Sequence, residues 1–188
     1  MLNAIVEFGK WVAVGGFKGA KISDAKAFAD SIRGCLPSGV EVQLFDADLV
    51  ASWRHLYFAA LNALMAFQNR CNLSKSLAVE TALYASAQRQ IKKALPLIGL
   101  KPACSHVAVL VVGDDADAVE AGFSAVAAQI QAERDDAVLE LSAAKIKRIR
   151  EAFDVSDAEL TAVSSSGGAA EALVALVLER VALLSTRL

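Results

Sequence analysis

The sequence predicts a single mixed α/β domain, a small mixed β-sheet flanked by several helices. Three observations carry that prediction. Residues 106–112 open with His106 and continue Val-Ala-Val-Leu-Val-Val, the composition of a strand buried on both faces. Val40, Val42 and Leu44 alternate with Glu41 and Gln43, the period of a half-buried strand. Elsewhere apolar residues recur at i, i+3 and i+4 behind polar capping residues, the spacing of amphipathic helices. A chain of 188 residues suits one hydrophobic core, and its 55% hydrophobic fraction, rich in alanine, favours helices.

In chain order, residues 11–14 read as a strand ending at Gly15-Gly16. Ser23 or Asp24 then caps a helix to about Arg33, broken by Gly34 and Pro37-Ser38-Gly39. After the strand at 40–45, Asp46 and Ser52 are candidate caps. Trp53, Leu56, Tyr57, Ala60, Leu61 and Leu64 form one helical stripe ending before Asn69. Two further helices are expected at about 75–86 and 88–98, stopped near Gly99 and Pro102. Beyond the 106–112 strand, Val119, Phe123, Val126 and Ile130 mark a helix, as do Ile146, Ile149 and Phe153. Ser156 followed by Glu159 is a capping-box pattern, and residues 164–168 read as a connector. A last helix spans about 169–185.

Composition narrows the function classes. No apolar stretch reaches the length of a membrane span, and no secretory leader is expected. Cys35, Cys71 and Cys104 are odd in number and form no C-x-x-C pair, so neither a disulfide framework nor a zinc site is indicated, and a reducing cytoplasm is the simplest setting. His55 and His106 are too few and too separated to propose a metal site. No metal or other cofactor is implied. Gly15-Gly16-Phe17-Lys18-Gly19 matches neither a dinucleotide fingerprint nor a phosphate loop. Asp114, Asp115 and Asp117 could bind a metal after the 106–112 strand, or cap the helix that follows. His55 beside the 53–64 stripe reads as a packing or helix-surface residue rather than a base. No nucleophile, base and orienting acid form a set, so catalysis is not expected.

The net charge of −2 conceals a basic island. Residues 70–101 carry six Lys/Arg and one acid, whereas residues 102–188 carry seven Lys/Arg and fourteen acids. Within the island, Gln88, Arg89 and Gln90 are followed by Lys92 and Lys93, and Lys75 precedes them. Guanidinium, ammonium and amide groups suit phosphates, sugars and base edges, not nucleophilic or redox chemistry. A solvated lysine-rich helix face is the bland alternative. The last helix is apolar nearly all round, with Leu173, Leu176, Val177 and Leu184 on one side and Val174, Leu178 and Val181 widening the surface. Such a helix is either central to the core or covered on one side by another protein.

These segments carry a resemblance. NLSKSLAVETALYASAQRQIKKAL (72–95), preceded by FDADLVASWRHLYFAALNALMAF (45–67) and followed by ERVALL (179–184), resembles the small regulatory subunit of the KEOPS complex, the TPRKB-type kinase-binding family. The likeness runs from about Val40 to Leu184. Where the family's segment reads ASGQRQI, Ala87 stands in place of the glycine, which stiffens a turn that needs positive φ. The resemblance implies a non-enzymatic accessory subunit of the complex that installs threonylcarbamoyladenosine in transfer RNA. It would dock on the complex's small atypical kinase, meet the other subunits indirectly, and help to hold the tRNA at its single-stranded 3′ CCA end. It assigns RNA contacts to Lys75, Gln88, Arg89, Gln90 and Lys92, with Tyr84 as a stacking or supporting ring. Partner contacts fall to Leu173, Leu176, Val177, Arg180 and Leu184. A protein-only scaffold, and a small metal- or ligand-binding module, are the alternatives.

Overall fold

Asp24, Ser52, Ser76, Asp115, Ser142 and Ser156 each accept a backbone N–H at the start of a helix, which fixes where those helices begin. The computed structural model describes residues 1–102, 104–164 and 168–186. In chain order the elements are β1 (Leu2–Ile5), β2 (Lys10–Lys18), α1 (Ala25–Arg33), β3 (Glu41–Asp46), α2 (Trp53–Gln68), α3 (Leu77–Ala85) and α4 (Ile91–Ile98). They continue as β4 (His106–Gly113), α5 (Ala116–Ile130), β5 (Glu133–Arg134), α6 (Ala143–Phe153), α7 (Asp157–Val163) and α8 (Gly168–Leu183). Short 3₁₀ turns link several of them. The connector expected at 164–168 falls at 165–167 outside the described residues.

The mixed α/β domain is as expected, but the strands pair β1-β2-β4-β3, with β5 on the end of β2, and every described pair is antiparallel. The mixture therefore lies in the helices and strands, not in strand direction. Helices cover both faces. Ala108, Leu110 and Val112 of β4 join a core with α2, α3, α6 and α8, while Val107, Val109 and Val111 join a second core with α1 and α5. That two-sided burial is why β4 lacks polar alternation.

Strand β2 runs four residues past the end expected at Val14. Gly15 and Gly16 do not break it; they admit neighbours. A Cβ on Gly15 would lie 2.4 Å from Phe123 Cζ, and one on Gly16 would lie 2.4 Å from Val138 Cγ2. Strands β1 and β5 were not expected, being short and only partly apolar.

Candidate nucleic-acid and partner interface

Helix α3 is the strut of the site. Residues 80–86 are buried without interruption, and polar side chains secure both ends. At the N-terminal end Glu80, only 1% exposed, accepts the N–H groups of Leu73 at 2.9 Å and Ser74 at 2.7 Å. Burial raises its pKa, and those two bonds oppose the rise. Glu41 of β3 accepts from Ser76 Oγ at 2.8 Å and Ala78 N–H at 3.0 Å. Between these two anchors Lys75 projects to solvent.

At the C-terminal end the chain turns through a Schellman motif. Gln88 N–H returns to Leu83 O at 3.0 Å and Ala87 N–H to Tyr84 O at 2.9 Å. Ala87 occupies the C′ position at φ +51°, where glycine is the unstrained choice. The positive φ expected from the missing glycine is therefore present. Gln88, half-buried, and Arg89, Gln90 and Lys92, exposed, cluster on this turn and the first turn of α4. Gln90 precedes α4 without giving it a side-chain cap, so the helix start faces the same cationic group.

Four of the five residues assigned to RNA are thus brought together. Lys75 stands at the other end of α3, whose nine residues span roughly 13 Å. Tyr84 is 5% exposed and packs in the core, so it supports the strut rather than offering a stacking face. Arg89 borders a recess of about 30 Å³ with Leu73, Tyr84 and Leu184, which places it beside the end of α8. A larger cavity of about 440 Å³ lies on the other side of the turn, between Ala87 and Gln88 and the residues Phe153, Asp154 and Arg180.

The partner residues assigned to the last helix, α8 and the 3₁₀ turn that follows it, need correction. Leu173, Leu176, Val177 and Leu184 are at most 5% exposed and belong to the chain's own core. Periodicity could not orient this helix, because apolar residues occupy nearly its whole circumference. Arg180 is engaged internally, with the Glu159 carboxylate and with Asp154 O at 3.4 Å. The large apolar residues of α8 that remain partly or fully exposed are Val174, Leu178 and Leu183. Helix α2 packs against α8 and adds Phe58, Leu61 and Met65, none of them fully buried.

Other candidate chemistry resolves into structure. Asp115 caps α5, Asp114 pairs with Lys10 at 2.5 Å, and no group of three metal-ligating side chains occurs among the described residues. His55 is fully buried, with its pKa lowered to about 4 by desolvation. The sequence also conceals an ion cluster. Asp46, 4% exposed, pairs with Arg148 at 3.2 Å and Lys101 at 3.5 Å, and Asp48 meets Arg148 at 2.5 Å and His106 at 2.8 Å. Beside it Lys145 is buried, donates to Val138 O at 2.6 Å, and has its pKa lowered to about 8 by desolvation. The run Lys145, Lys147, Arg148 and Arg150 was the only hint of this cluster in sequence. It fastens α6 to the end of the sheet.

A three-layer α/β domain that presents a basic turn and an apolar helix pair is built as a binding domain. Residues 21–185 match the family model described as "Kinase binding protein CGI-121", and the chain belongs to that family. A 117-residue stretch, 62% of this chain and 72% of the relative, is 32% identical to "Regulatory protein Cgi121" of Methanocaldococcus jannaschii. No helix among the described residues is long and apolar enough to cross a membrane.

Proposed function

We propose that this chain is a non-catalytic accessory subunit of a KEOPS-type assembly in the cytoplasm, docking on its small atypical kinase and helping to hold substrate tRNA by the 3′ CCA end. Membership of the kinase-binding family is the observation that carries the docking half. The surface suited to it is the α2–α8 pair, on which Met65 is 45% and Leu183 37% exposed and Phe58 and Leu178 are partly exposed. What supports the RNA half is the turn at 87–92, where Arg89 and Lys92 offer charge, Gln88 and Gln90 offer amides, and the uncapped start of α4 favours an anion.

The test is fluorescence anisotropy with labelled tRNA, intact and trimmed of its 3′ CCA, across a salt series. Binding lost on trimming supports end capture. Equal binding of both forms reduces the turn to generic charge attraction. A second reading, a protein scaffold without RNA contact, is favoured by the burial of Tyr84, which removes that ring as a stacking platform. Absence of binding to either tRNA in the assembled complex would establish that reading.

A further inference from the structure

His55 sits in the first turn of α2, fully buried, and reaches neither solvent nor any group assigned to RNA. Its ring is fixed on three sides. Ala51 N–H donates to Nδ1 at 3.3 Å, so that nitrogen carries no proton. The proton resides on Nε2, which donates to Ala85 O at 2.7 Å. The ring edge packs on Phe153 of α6, with centroids 5.5 Å apart.

Ala85 is the last residue of α3, and the final four carbonyls of a helix lack intrahelical partners. Here each is accounted for. Ala82 O receives Ser86 N–H, Leu83 O receives Gln88 N–H, and Tyr84 O receives Ala87 N–H. The Ser86 hydroxyl adds bonds to Ala82 O and Leu83 O. Those three carbonyls are served by the turn itself, whereas Ala85 O is served from outside it, by His55. The turn that follows holds Ala87 in the left-handed region that alanine disfavours, so it depends on restraint from its surroundings.

We propose that His55 is the positioning residue for the turn at 86–90: its bond to Ala85 O sets the direction in which Gln88, Arg89 and Gln90 leave α3. The functional consequence rests on the RNA-binding reading above. Without the bond a buried carbonyl loses its partner and the turn relaxes away from the strained geometry. The charges remain, but their arrangement does not. Binding therefore weakens while the number of phosphates neutralised, and so the salt slope, stays the same.

The test compares His55→Phe, which keeps a ring against Phe153 but cannot bond Ala85, with His55→Gln, whose amide can supply the donor. Amide hydrogen exchange is followed at Ser86, Ala87 and Gln88, whose N–H groups are bonded within the turn, with Val126 of α5 as an internal reference, and tRNA affinity is measured in the same salt series. In His55→Phe, exchange at the turn should accelerate about tenfold with Val126 unchanged, and affinity should fall about five- to tenfold at constant salt slope. His55→Gln should recover most of both. Unchanged exchange in His55→Phe, equal acceleration at Val126, or no recovery in His55→Gln would overturn the proposal. If the wild-type chain binds no tRNA, the RNA reading fails, and the exchange data alone still decide whether His55 positions the turn.

Discussion

The Arg180 guanidinium on α8 donates to the Glu159 carboxylate on α7, the same carboxylate that closes the capping box by accepting from Ser156 N–H at 2.9 Å. Arg180 is thus an internal strap joining α7 and α8. The Ser156 backbone bond, the Arg180 bond and the Ser156 hydroxyl together pull the Glu159 pKa down to about 2. A depressed carboxylate stabilises the fold above its unfolded pKa, and that contribution is lost as pH falls through the folded value. The expected window is therefore from about pH 4.5 down to about 2. Glu159→Gln should flatten this part of the stability-against-pH curve, measured by urea unfolding at successive pH values. An unaltered curve would show that the strap adds nothing to folding.

Ala87→Gly should stabilise the chain. Alanine at the C′ position costs about 1–2 kcal/mol in left-handed geometry, and glycine removes that cost while losing about 0.5–1 kcal/mol through unfolded-chain entropy. The net gain of about 0–1.5 kcal/mol corresponds to a Tm rise of at most roughly 3–6 °C for a chain of this size. A fall in Tm on calorimetry would mean that neighbouring contacts already absorb the strain.

The contrast between Gly15 and Ala87 marks what the sequence could express. The α2 stripe, the caps at Asp24 and Ser156, and the apolar run of β4 were legible because each follows from a local period or a single side-chain bond. The ends of β2 were not. Gly15 resembles a strand terminator, and only the packing of Phe123 from a distant helix makes it a point of close approach. The candidate turn was legible in composition, since its amides and cations are contiguous at 88–93. The placement of Lys75 was not, because the length of α3 separates it from them. The inward face of α8 was hidden for another reason: apolar residues surround that helix, so the choice of buried side was made by α2 and α6.

Gly15→Ala tests that account. The added methyl would sit 2.4 Å from Phe123 Cζ, which also stacks on Phe17. Overpacking of this kind costs about 1–3 kcal/mol as rings and backbone shift. Chemical denaturation should show a lower midpoint with an unchanged slope. Wild-type stability would mean that Phe123 can withdraw freely, and that the glycine is there for another reason.

Two substitutions on one helix separate core from docking surface. Val177 is 0% exposed on α8, so Val177→Glu buries a carboxylate without a partner and should unfold or severely destabilise the isolated chain. Leu183, six residues later and 37% exposed, can accept a charge at little cost to folding. If the α2–α8 face meets a kinase, Leu183→Glu places an unpaired carboxylate in a desolvated contact and should weaken association at least tenfold. Circular dichroism melts establish the folding arm, and titration calorimetry with the purified kinase measures the docking arm. A folded Leu183→Glu variant that binds with wild-type affinity removes the end of α8 from the interface. A folded Val177→Glu variant would reverse the assignment of inner and outer faces, because a charge tolerated at that position can only be pointing outward.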